Sequence, residues 1–176
     1  MVFFTADLHL FHANIIKYCR RPFSSVDEMN DTIIRNWNRV VGPHDYVYNI
    51  GDFGFFRTKQ QLGEILDALN GYKLFLQGNH DKKVASLGLR FEGGNLIKTK
   101  VEGQEIVLCH YAMRVWENSH HGSWHLYGHS HGTLPELLNS LSFDVGVDCW
   151  NFTPISFEQV KEIMTIKTKR IKECKK

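Results

Sequence analysis

The sequence predicts an α/β fold in which two packed sheets carry helices on the outside. Strand-like and helical segments alternate through the first half, whereas strands dominate the second. Residues that can ligate a metal stand just after the strand-like runs rather than scattered along the chain. At 176 residues, 43% hydrophobic and 12% aromatic, the chain is long and apolar enough for one domain with a full core. It lacks the composition of a disordered protein.

Residues 2–6, opening Val2-Phe3-Phe4, read as a buried first strand, and Ala13 to Cys19 as a short helix. Ser25 and Glu28 form a capping-box pair. The amphipathic helix they open runs to about Val41, with Met29, Ile33, Ile34, Trp37 and Val40 at helical spacing. Gly42-Pro43 ends it, and Tyr46 to Ile50 is β-branched and aromatic, hence a strand. Thr58 and Gln61 cap a helix that stops near Gly71, and Tyr72 to Leu76 follows as a strand. This β-α-α-β-α-β order argues for a sheet with helical crossovers. Leu96 to Val101 and Glu105 to Cys109 flank Glu102-Gly103 as a hairpin. Trp124 to Tyr127 and Ser142 to Val147 are further strands, and Ser156 with Gln159 caps a last helix from about Phe157 to Ile166. Residues 1–166 then form the domain and 167–176 a basic tail.

That tail holds six basic residues and one acid, a net +5 against +2 for the whole chain, which leaves the body at −3. A short basic end reads as solvated and dispensable for chemistry, and an acidic body is a poor nucleic-acid surface. Cys19, Cys109, Cys149 and Cys174 form no C-x-x-C pair, so no zinc knuckle or redox motif is visible. Unpaired cysteines without an export signal point to the cytoplasm. No apolar run approaches the roughly 20 residues of a membrane span.

Five clusters carry the chemistry: Asp7-Leu8-His9, Gly51-Asp52, Gly78-Asn79-His80-Asp81, Cys109-His110 and Gly128-His129-Ser130-His131. Asp7 and His9, two apart, would share a face on a regular strand. Gly51-Asp52 alone is a turn signal. Gly78 precedes an amide, an imidazole and a carboxylate, and the histidine pair of Gly128–Gly132 is the most specific element. Oxygen and nitrogen donors without thiolate suit Mn²⁺, Fe, Zn²⁺ or Ni²⁺ and disfavour Cu(I) and Fe–S clusters.

In this order the clusters resemble the signature of calcineurin-like metallophosphoesterases: D-x-H, G-D, G-N-H-D/E, a lone His, then G-H-x-H, over residues 7 to 131. The resemblance implies a four-layer α/β/β/α sandwich of two mixed sheets flanked by helices, with two divalent cations, Mn²⁺ first and Fe, Zn²⁺, Ni²⁺ or Mg²⁺ as alternatives. It further implies that Asp7, His9, Asp52 and His131 bind one metal, and Asp52, Asn79, His110 and His129 the other, with Asp52 bridging. His80 matches the non-ligand histidine that acts on the leaving oxygen, and Asp81 the acid that orients it. A hydroxide shared by the metals would attack phosphorus in line.

Outside the clusters, His12 and Arg114 are candidate substrate-binding residues, and Asn14 reads as a cap. Asp144 and Asp148 read as supporting or turn residues, and His120, His121 and His125 as surface histidines. Phe55, Phe56, Trp116, Trp124 and Trp150 read as core aromatics; the alternative is that they stack a nucleobase whose phosphate Arg57 or Arg114 grips. Gly51-Asp52-Phe53-Gly54 departs from the Gly-Asp-x-x-Asp-Arg-Gly of the protein phosphatases. The expected function is therefore a two-metal phosphoesterase with small nucleotide-like or other phosphorylated substrates, diesters favoured over monoesters, and no membrane partner. A small nuclease of the same superfamily and a non-catalytic scaffold are the alternatives.

Overall fold

The computed structural model describes residues 1–137 and 139–173. The elements are β1 (Val2–Thr5), α1 (Ala13–Tyr18), α2 (Val26–Val40), β2 (Tyr46–Asn49), α3 (Lys59–Ala68), β3 (Tyr72–Phe75), α4 (Lys82–Ser86), β4 (Leu96–Val101), β5 (Gln104–Cys109), β6 (Trp124–Tyr127), β7 (Ser142–Asp144), β8 (Ile155–Ser156) and α5 (Phe157–Glu173). They build two mixed four-stranded sheets, ordered β3-β2-β1-β8 and β4-β5-β6-β7. β1, β2 and β3 are parallel, and β8 closes that sheet antiparallel. In the second sheet β5, β6 and β7 are parallel, and β4 pairs antiparallel with β5. This is an α/β architecture of two mixed sheets flanked by helices, as the sequence predicts.

Side chains alternate across the first sheet as the pleat requires. Phe3, Val47 and Phe75 face the helices and pack with Ile15, Met29, Ile33, Trp37, Leu62 and Val84. Phe4, Ala6, Ile50 and Leu76 enter the layer between the sheets, meeting Ile106, Leu108, Trp124, Leu126 and Phe143. Phe157, Val160 and Met164 of α5 complete that layer.

The capping signals act as read. Ser25 Oγ accepts the Glu28 N–H at 3.1 Å, while Glu28 reaches back one residue further, to Ser24. Ser156 and Gln159 exchange both bonds of a capping box. α4 and β8 carry no sequence signal, being five and two residues long. β7 ends at Asp144 rather than Val147, because the Asp144 carboxylate takes the Gly146 N–H at 2.7 Å and turns the chain.

The last helix corrects the expected tail. α5 does not stop near Ile166 but continues through Glu173, and residues 174–176 lie outside the described residues. Lys167 is only 2% exposed and its Nζ donates to Glu136 Oε1 at 2.6 Å. Its stem is buried apolar area, which is where the stability lies. Deleting residues 167–176 should therefore cost roughly 2 kcal/mol, or roughly 5 °C in melting temperature at this chain length. Lys167→Met, which keeps the stem, should cost much less. Equal melting temperatures for the truncated and full chains would refute this. Among the described residues no helix is long and apolar enough to cross a membrane.

Candidate metal centre

All five clusters leave the C-terminal ends of parallel strands, the edge where open α/β sheets place their ligands. Asp7 and His9 follow β1, Asp52 follows β2, Asn79–Asp81 follow β3, His110 follows β5, and His129 and His131 follow β6. Ligand atoms of Asp7, His9 and His131 lie within 4.8 Å of one another, as do those of Asp52, His110 and His129. Each trio draws on both sheets, and each could hold a metal ion.

A shared backbone conformation brings them together. Asp7, His9, Asp52, His129 and His131 all have positive φ, between 47° and 68°. β1 ends at Thr5, so Asp7 and His9 converge through two left-handed residues rather than through the strand pleat expected from their spacing. Such residues cost about 1 kcal/mol or more each and concentrate at functional sites. The turn is held by the next strand's loop: the Asp7 N–H donates to Gly51 O and the His9 N–H to Asp52 O, both at 3.0 Å. Glycine is needed where loops touch ligands. A Cβ on Gly78 would run into the Asp52 carboxylate, and one on Gly128 would lie 2.7 Å from Asp7 Oδ2.

Acceptors converge at the centre without matching donors. The Ile50 carbonyl, 2.8 Å from His110 Nδ1, can only accept, so that nitrogen carries the proton. His110 Nε2 is then aimed at Asn79 Oδ1, 3.0 Å away, and Asp52 Oδ2, 3.4 Å away. The same Asp52 oxygen lies 3.5 Å from His9 Nε2. Among the described residues, Asp7 Oδ1 and both ring nitrogens of His9 are buried without a hydrogen-bond partner. Orphaned buried groups of this kind cost about 1–3 kcal/mol each, and a cation held by Asp7 Oδ1 and one His9 nitrogen would remove the cost at those two atoms. The donors present fit a divalent metal.

Electrostatics points the same way. Burial pushes the Asp7 carboxyl up to about 7 and the His9 imidazole down to about 2. Burial also opposes charge on Asp52 and His110, yet their mutual attraction outweighs it. Asp52 is held at about 2, helped by the His80 N–H, and His110 is raised. Positive charge is thus favoured between these acceptors.

Among the described residues Asp81 makes no hydrogen bond to His80. Its carboxylate, fully buried, accepts the N–H groups of Asp52 (2.7 Å), Gly78 (2.8 Å) and Phe53 (3.0 Å). It ties the loop after β3 to the loop that carries Asp52, so the acid assigned to His80 is a loop clamp. Asp81→Asn would oppose an NH₂ to N–H donors and should destabilise the fold by about 1–3 kcal/mol. Thermal melts in EDTA measure this. Slowed turnover at an unchanged melting temperature would return Asp81 to a direct chemical role.

His80 itself is exposed, with its ring centroid 5.6 Å from that of His9 and its backbone N–H on Asp52 Oδ1 at 2.9 Å. His12 stacks on Phe55 at 4.1 Å, lies 5.4 Å from His9 and 6.4 Å from His80, and keeps Nδ1 unpartnered among the described residues. Arg114 is exposed on the loop after His110 and shows no hydrogen bond or ion pair among the described residues. His125, expected at the surface, is fully buried: Nδ1 donates to Val107 O and Nε2 accepts the Met113 N–H. His120 and His121 are exposed. Phe56, Trp116 and Trp124 are core, whereas Phe55 lies beside His9 and Tyr111 beside His110 and His129.

Asp148 is a supporting residue, accepting from His131 Nδ1 at 2.7 Å. Arg21, which no sequence pattern singles out, grips the same carboxylate. Cys19, His131 and Asp148 are also close enough to hold a metal ion. There the guanidinium already supplies the positive charge, and burial pushes the Cys19 thiol up to about 11.

Fold and site together define an α/β protein whose two sheets deliver a histidine–aspartate centre to one shared edge. It belongs to the same family as the uncharacterized protein MJ1445 of Methanocaldococcus jannaschii, to which it is 36% identical over 169 residues, covering 93% of this chain and 90% of that protein. No family profile matches the chain. The solved structure of the protein of unknown function AQ665 from Aquifex aeolicus has the same fold, with a TM-score of 0.70 at 24% identity over 93% of this chain and 98% of that one. YfcE, a phosphoesterase from E. coli, aligns with a TM-score of 0.41 at 17% identity over 82% and 77% of the two chains.

Proposed function

We propose that the chain is a metal-dependent phosphoesterase of the calcineurin-like type, acting on small phosphodiesters such as nucleotides or cyclic nucleotides. The observation that carries this reading is the position of Asp52 Oδ2, 3.5 Å from His9 Nε2 and 3.4 Å from His110 Nε2, between the two candidate ligand trios. Asp52 would be shared by two cations, with Asp7, His9 and His131 on one side and Asn79, His110 and His129 on the other. Bound divalent cations, Mn²⁺ foremost, would supply an acidified water and offset charge on the phosphoryl oxygens.

The remaining work falls to side chains of the rim. His80, exposed and outside both trios, is placed to give a proton to the leaving oxygen. His12, whose imidazole is kept neutral by burial and by the neighbouring His80, can donate a hydrogen bond to a phosphoryl oxygen. Asn79 and His129 are exposed, so substrate can reach the second trio from solvent. Arg114 remains a candidate contact for an outlying phosphate.

Turnover of bis-p-nitrophenyl phosphate beside p-nitrophenyl phosphate, with Mn²⁺ and after EDTA, tests the proposal. The diester should be the better substrate and EDTA should abolish both rates. Tight Mn²⁺ binding with no hydrolysis of either ester would overturn it in favour of a scaffold.

A further inference from the structure

Arg21 lies in the loop between α1 and α2 and is 4% exposed. Every donor of its guanidinium fork has a described acceptor. Nη2 donates to Asp7 O at 2.7 Å and Nη1 to Leu8 O at 3.0 Å, so the cation grips the backbone of the turn that presents Asp7 and His9. Nε and Nη2 also take both oxygens of Asp148, each at 2.8 Å, in the bidentate geometry that arginine favours. Nη1 further meets Met29 Sδ at 3.4 Å. Asp148 Oδ2 then accepts from His131 Nδ1 at 2.7 Å. A single chain of charge-assisted bonds thus joins the two segments of the first trio, although they are more than 120 residues apart in sequence.

The second trio has a different support. His110 Nδ1 meets a neutral backbone carbonyl, and His129 is exposed, with Tyr111 packed edge-on at 4.7 Å. Neither of its histidines meets a carboxylate through Nδ1 among the described residues. A carboxylate behind a ligand histidine fixes its tautomer, aims Nε2 and raises its basicity, and losing such a partner typically weakens metal binding 10–100-fold.

Building on the metal-binding reading above, we infer that Arg21 and Asp148 are positioning residues for one metal subsite only, that of Asp7, His9 and His131. They make it the tighter and less exchangeable of the two. Arg21 holds the left-handed turn at Asp7 and His9, and Asp148 aims the His131 ring. The arginine also neutralises Asp148, so that this carboxylate serves the histidine without drawing the cation away from Asp7.

Calorimetric titration of the EDTA-stripped full chain with Mn²⁺ tests this. The wild-type protein should bind in two steps of unequal affinity. Asp148→Ala should weaken the tighter step by about 10–100-fold and move the weaker one by less than about threefold, and added formate should restore part of the loss. Arg21→Lys, which keeps the charge but not the fork, should weaken the same step. It also stands in if Asp148→Ala does not fold, as thermal melts would show. Equal weakening of both steps, no weakening, or failure of both variants to fold would overturn the inference and assign the pair to stability alone. Absence of Mn²⁺ binding by the wild-type protein would instead overturn the metal reading on which it rests.

Discussion

Asp52→Asn should strip most of the bound metal and lower turnover by at least about 10²-fold, the scale of a lost electrostatic partner in a preorganised site. The wild-type carboxylate uses Oδ1 to accept the His80 N–H at 2.9 Å and turns Oδ2 toward His9 and His110. An amide can keep the first bond through its oxygen. Its NH₂ can then donate to an imidazole nitrogen, so the fold should persist while the shared anionic ligand is gone. Because one oxygen faces both trios, metal should be lost from both subsites rather than one. Elemental analysis beside a thermal melt checks this. Normal stoichiometry at a normal rate would sink the shared-ligand assignment.

His80→Ala should do the opposite: keep both metals and lose roughly 10²–10⁴-fold in rate, the range of a positioned proton donor. The substitution leaves the backbone N–H that anchors Asp52 in place, and the side chain it removes is exposed. The loss should be largest for an alkoxide leaving group, which needs the proton, and smaller for p-nitrophenolate, which leaves unprotonated. Equal slowing of both leaving groups would make His80 a phosphate binder. Loss of metal would make it a ligand.

Much of the centre was legible in the sequence, because ligand chemistry is a property of side-chain type and strand ends follow from β-branched and aromatic runs. The resemblance of the five clusters to a known signature names Asp7, His9, Asp52, Asn79, His110, His129 and His131 together, and the fold gathers six of them into two trios. What holds them was less visible. The left-handed backbone at Asp7 and His9 is held by hydrogen bonds to the neighbouring loop and by Arg21, not by local preference, whereas the spacing of the pair predicts a pleat. The family resemblance pairs Asp81 with its sequence neighbour His80, whereas its partners Asp52 and Phe53 come from another strand's loop. Arg21 and Asp148 meet only in the folded chain. His125 sits among Ser, His and Gly, a loop-like composition, yet its alternation along β6 turns it onto Val107 and Met113. The helix past Ile166 was hidden by its basic residues, since nothing marks Lys167 as the one whose stem is buried.

Each trio takes ligands from both sheets, so the gap across the centre is the thickness of the hydrocarbon layer beneath it. Phe4, Leu108 and Leu126, buried in the layer between the sheets, act as spacers that set the gauge between opposing ligands. Packed interiors resist compression and tolerate few voids, which makes that gauge stiff. In a chain with this construction, altering a methylene deep in the sandwich would change the spacing of the two trios while every residue in them stays the same.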